Sequence, residues 1–219
     1  MNVPNYDAYF KDGRKLETPG EPKSPVYLRL YRAGELVVTT GSLVACDPLL
    51  AVPDLEPFTA AIPDGRHPVT LCVVEYHKKN KLYDQRVALA RVDVAKGPVK
   101  SWTLATLPGQ NLKKLEPDQY FGYKSESGYG CFADATGAAA LALALDTDDE
   151  FEPRLLKKLD DTYQDTRAWA TAELEPKSGA NIVLFTAGDG EGNYPTFVGQ
   201  DAKGRPCAVL TDFLLIAYA

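Results

Sequence analysis

Two apolar runs, residues 68–76 (PVTLCVVEY) and 83–94 (YDQRVALARVDV), flank the polar stretch HKKNK at 77–81. Runs rich in Val, Leu and Tyr that are joined by a short solvated loop form the arms of an antiparallel hairpin, and these two are expected to be long strands. They also supply its central core residues. Upstream, residues 26–32 (VYLRLYR) alternate Val26, Leu28 and Leu30 against Tyr27, Arg29 and Tyr31, the period of two of a half-buried strand. A turn at AGE, then LVVTT, then Gly41 and SLVACD continue this as an expected meander.

Pro63-Asp64-Gly65 marks a tight turn before the hairpin, and Trp102 is expected to lay its indole on the sheet. Residues 135–174 change character: Ala- and Leu-rich, without β-branched runs, they read as two helices separated near residues 146–153. In the second, Leu155, Leu159 and Tyr163 recur at i, i+4 and i+8 and face the sheet, while Lys157, Asp160, Asp161 and Gln164 face water. NIVLFTA, YPTFVGQ and PCAVLTDF then read as three antiparallel strands. The expected fold class is α+β: a mostly antiparallel twisted sheet, or two sheets, with two helices inserted between residues 134 and 174. Residues 1–25 are expected to form an extended arm, and residues 26–219 one domain.

Abundant turn formers, with Pro and Gly supplying 33 of 219 residues, and 12 Tyr favour short strands over a helical bundle. Charge is uneven. Residues 1–110 carry 14 Lys and Arg against 12 Asp and Glu, net +2; residues 111–219 carry 10 against 18, net −8. The single basic cluster, Lys78, Lys79 and Lys81, is a hairpin loop, so nucleic acid is not an expected partner; the acidic surface suits a basic protein partner or simple solubility. Cys46, Cys72, Cys131 and Cys207 lie far apart in apolar runs with no CxxC pair, which fits buried thiols of a reducing cytosol and argues against structural zinc. The start MNVPNYDAYF has no basic-then-apolar signal, and no run approaches the ~18 apolar residues of a membrane span. A cytoplasmic protein without cofactor or membrane partner is therefore expected.

Residues 125–134 (SESGYGCFAD) set Glu126 and Asp134 on either side of a GYG bend. Gly128 and Gly130 permit a tight backbone approach, and the acids could line a cleft or, for Asp134, cap the next helix. Asp189, in the turn GDGEGN, likewise stands among glycines. Asp189, Glu191 and Asn193 place oxygens at alternate positions as a calcium loop does, but Tyr194 and Gln200 occupy the positions where that loop needs Gly and Glu. There is no G-x-S-x-G elbow, and His67 and His77 both sit in polar turns. Glu126, Asp134 and Asp189 are thus the acids that could converge on a divalent cation or act as acid and base.

The order GSLVACDPL, PDGRHPVTL, VALARVDV with Trp102, LPGQNL, GYGCFAD and FTAGDGEGNYPTFVGQ resembles the bacterial family of unknown function DUF4241 over residues 41–213. The family's central motif resembles V-D-A-G-T-G-C-F-x-D. Here Glu126 stands for its first Asp, Tyr129 for its Thr, and Glu191-Gly192 is inserted before Asn193 and Tyr194. The resemblance implies a fold and a cleft at this turn, lined by Glu126, Gly128, Tyr129, Gly130, Asp134, Asp189 and Tyr194, with Tyr129 filling or lidding it. It implies no reaction. Two functions are carried forward: a non-catalytic interaction module, of the immunity type that neutralises a partner toxin, and a carboxylate-based, metal-assisted hydrolase using the three acids.

Overall fold

The computed structural model describes residues 3–16, 25–79 and 81–217. Its strands are β1 (Lys15–Leu16), β2 (Val26–Val38), β3 (Leu43–Cys46), β4 (Gly65–Lys78), β5 (Lys81–Asp93), β6 (Ser101–Leu104), β7 (Tyr123–Ser125) and β8 (Tyr129–Asp134). Helices α1 (Ala135–Thr147) and α2 (Phe151–Asp160) follow. The chain then forms β9 (Trp169–Glu175), β10 (Ala180–Thr186), β11 (Gly192–Tyr194), β12 (Thr196–Gln200) and β13 (Pro206–Asp212).

The 68–94 hairpin is realised as β4 and β5, at the heart of a seven-stranded sheet ordered β1-β2-β4-β5-β13-β12-β6. A second sheet, β3-β8-β10-β9, packs on one of its faces, and a two-stranded ribbon, β7-β11, stands beside them. All the strand pairs are antiparallel, and the fold is of the α+β class.

Apolar residues alternate along these strands, so each sheet has two faces to cover. Leu36, Val69, Leu71, Val92, Phe132, Phe185 and Phe213 fill the space between the sheets. Beyond the small sheet, Leu141 of α1 and Leu155 and Leu159 of α2 pack on Cys131, Ile182 and Leu184. The outer face of the large sheet is covered by the N-terminal segment: Tyr6 and Tyr9 lie on Leu28, Cys72, Phe197 and Leu210. Tyr6 meets Trp102 edge-on at 5.3 Å and donates from Oη to Asp212 Oδ2 at 3.0 Å. Each fully buried large side chain contributes about 1.5–3 kcal/mol to holding these layers together. The part of the arm at residues 17–24 lies outside the described residues.

Besides Tyr163, which lies past the end of α2 and is exposed instead of facing the sheet, three expectations need correction. The AGE segment is no turn: β2 runs straight through it, pairing with β4 along its length, with a bulge between Arg32 and Gly34. The bulge lets the strand bend while keeping its partner. SLVACD does not continue a meander, because β3 belongs to the other sheet. The third concerns RAWATAEL, which is β9 and not the end of a helix. Ala170 and Ala172 are buried while Thr171 and Glu173 are exposed, an alternation that the Ala-rich composition hides. In the same way NIVLFTA, as β10, sits in a different sheet from β12 and β13. Among the described residues no helix is long and apolar enough to cross a membrane.

Candidate functional site

The SESGYGCFAD stretch becomes the end of β7, a turn, and β8, whose partner on one side is β3. Each end of this pair is gripped by a buried carboxylate. Asp134, at the end of β8, reaches back to the chain just before β3. Its Oδ2 accepts from Thr39 N at 2.9 Å, Thr40 N at 2.8 Å and Thr40 Oγ1 at 2.7 Å. Its Oδ1 caps α1, accepting from Thr136 N at 2.8 Å. Burial would raise this carboxyl, but the bonds from Thr39, Thr40 and Thr136 outweigh it and hold the group below the usual range.

Asp47, just after β3, makes the mirror arrangement on the turn before β8. Its Oδ2 accepts from Glu126 N at 2.9 Å and Ser127 N at 2.8 Å, and its Oδ1 from Ser127 Oγ at 2.6 Å. Its place before Pro48 marks Asp47 in the sequence as a turn opener. Its Oδ1 does open the local turn, accepting from Leu49 N at 2.9 Å, but the donors in residues 126 and 127 lie 79 and 80 positions away, so no local signal announces them.

The three acids expected to converge do not. Glu126 lies before the first residue of β8 and Asp134 is its last, so they stand at opposite ends of a strand of about 17 Å at ~3.3 Å per residue. Asp134 is 1% exposed with both oxygens engaged, so it leaves the set of cleft residues and serves as a cap. Glu126 pairs with Lys124, and Asp189 pairs with Arg86 at 3.2 Å. Among the described residues no three His, Cys, Asp or Glu side chains gather as metal ligands. What Glu126 and Asp189 do share is a shallow groove, with Ser127, Gly128, Gly190 and Glu191 as its other walls. It continues along the β7-β11 ribbon past Lys124 and Asn193.

The remaining predicted residues divide between groove and interior. Gly128, at φ +77°, holds the left-handed turn, and its carbonyl accepts from Ala187 N at 2.9 Å. Tyr129 does not lid a pocket. It lies on the same face of β8 as Cys131 and packs towards the helices; burial first, then Asp160, raises its hydroxyl. Gly130 makes room for Tyr123, since a Cβ there would stand 2.2 Å from the Tyr123 hydroxyl. Tyr194 is buried and donates from Oη to Gly190 O at 2.8 Å, bracing the turn that carries Asp189.

A deeper feature adjoins this groove. Between β3 and the chain leaving β6 lies a cavity of about 200 Å³ walled by Cys46, Leu55, Phe58, Leu107, Phe121 and Tyr123, with Glu56 and Lys124 at its edge. Leu50 and Val52, about half exposed, stand in the loop beside it. The Tyr123 hydroxyl is buried without a hydrogen-bond partner, and burial pushes it well above its ordinary value. Largely apolar walls interrupted by a few polar residues, here Asp47, Glu56, Gln110, Lys124 and Thr196, are the composition of a small binding pocket. The segments that build it, 47–58 and 105–123, are loop in sequence, which is why sequence reasoning passed over them.

No curated protein and no solved structure matches the chain. A family model does, over residues 36–211, described as a protein of unknown function. That span takes in both carboxylate grips, the groove and the cavity, and by it the chain belongs to the DUF4241 family.

Proposed function

We propose that the chain is a non-catalytic binding module whose working face is the cavity above β3 together with the acidic groove along the β7-β11 ribbon. Its partner is a protein that presents an apolar side chain next to a basic segment. The observation that carries this is the adjacency of the two: Lys124 borders both the cavity and the groove, and Glu56, Glu126, Asp189 and Glu191 surround them. An apolar anchor entering a pocket supplies the affinity of such contacts, and surrounding charge supplies orientation and rate. Half-exposed Leu50 and Val52 extend the apolar part beyond the mouth. Neutralisation of a basic toxin, as immunity proteins perform it, is one form this activity takes.

Wild-type protein and two face variants, Glu126→Lys with Glu191→Lys, and Leu50→Asp, serve as immobilised bait in native lysate at low salt. A partner of this chemistry is held by wild type, eluted by salt, and bound at least about tenfold more weakly by each variant, a loss of about 1.4 kcal/mol. The retained protein is then purified and titrated directly. A partner bound equally by all three proteins, or none retained at low salt, removes the reading.

A further inference from the structure

Cys46 and Cys131 are directly opposed on β3 and β8, and their sulfurs lie 3.5 Å apart. Opposed residues of an antiparallel pair have Cα atoms about 4.5–5.5 Å apart, inside the 4.4–6.8 Å over which a disulfide closes without backbone movement. Both side chains are buried, Cys46 at 5% and Cys131 at 0% exposure, but the two residues differ in what they border. Cys131 is fully buried, whereas Cys46 forms part of the cavity wall. We propose that Cys46 and Cys131 are a dithiol site that reduces a small hydroperoxide admitted through the cavity, with Cys46 as the sulfur attacked first and Cys131 as the resolving thiol. This does not rest on the binding role above.

The chemistry balances with hydrogen peroxide as oxidant. The Cys46 thiolate attacks one peroxide oxygen, the O–O bond breaks, and the departing hydroxide takes up a proton as water, leaving a sulfenic acid on Cys46. Cys131 then attacks the Cys46 sulfur, its proton leaving with the displaced hydroxyl as a second water, and the S–S bond forms. Two thiols lose two electrons and two protons, and one peroxide becomes two waters. The shared hydrogen bond with Cys46, then burial, hold the Cys131 thiol well above its ordinary value, which suits a group that keeps its proton until the first step is done. Cys72 and Cys207 offer a built-in comparison. Their sulfurs donate to Tyr9 O and Gly199 O, and neither borders the cavity. Burial pushes Cys72 up to about 12.

The test treats reduced, folded protein with low excesses of hydrogen peroxide and follows intact mass and disulfide-mapped peptides. The expected result is a loss of about 2 Da, mapped to a Cys46–Cys131 bond and reversed by a thiol reductant, with Cys72 and Cys207 unmodified. In Cys131→Ser, a sulfenic-acid trap such as dimedone should label Cys46. In Cys46→Ser it should label Cys131 at least about tenfold less. All four thiols intact after native treatment, oxidation at Cys72 or Cys207 before the pair, or trapping at Cys131 ahead of Cys46 would each overturn the proposal. If a variant does not fold, the wild-type peptide map decides alone.

Discussion

Both oxygens of Asp134 are committed, one to Thr39 and Thr40, the other to the start of α1. Asn keeps a capping oxygen but turns an amide towards backbone donors, so Asp134→Asn is no neutral swap despite the equal standing of Asp and Asn as helix caps. It should cost about 2–3 kcal/mol in denaturant melts at neutral pH, the worth of a charged acceptor lost from a buried site. The folded carboxyl is held low, so its contribution is complete above about pH 4 and fades as pH falls through the depressed value. The gap between wild type and Asn variant should therefore narrow in acid; a gap constant down to pH 2.5 would show that the charge is not what matters. Of the two gripping acids, Asp134 was legible as a cap from its place before ATGAAA, while Asp47 needs tertiary structure to be recognised. Tyr123 makes a second residue-scale case. Removing its unpartnered hydroxyl with Tyr123→Phe should leave stability unchanged or raise it by about 1 kcal/mol. Gly130→Ala, whose Cβ would strike that oxygen, should lose about 2–3 kcal/mol. Much of that loss should return in the double variant, and a double variant no better than Gly130→Ala alone would count against the contact.

At the level of elements, periodicity was readable where apolar and polar residues differ in type and unreadable where alanine stands for both. The 68–94 hairpin fell in the first group, and β9 in the second. AGE misled because turn residues also make bulges. Gly34 lies in the bulged part of β2 at φ +151°, and a Cβ there would sit 2.3 Å from Thr171 Oγ1 on β9, so this glycine lets the two sheets approach. Gly34→Ala should destabilise by about 1–3 kcal/mol, with Thr171→Ala restoring the part due to the collision and leaving the backbone strain. A double-variant cycle by chemical denaturation separates the two terms; an additive cycle would mean that the sheets do not meet there.

For the molecule as a whole, the α+β class was legible because strand and helix patterns occupy separate stretches of chain. How the strands divide between two sheets was not, since partner choice is a matter of which faces remain to be covered. The layered result gives the small sheet an outer strand, β3, of only four residues. Four residues make few ladder bonds, and the two carboxylate grips at its ends supply much of what keeps it in register. Protonation of Asp134 should thus loosen this strand before the seven-stranded sheet, and amide protection over residues 43–46 should fall first as pH drops below about 4, ahead of residues 69–74; simultaneous loss would refute a separate unit. A detached β3 would leave the β8 edge open to the same strand of another copy, so acid below about pH 4 becomes a condition under which this chain exchanges strands between molecules, with domain-swapped dimers as the product.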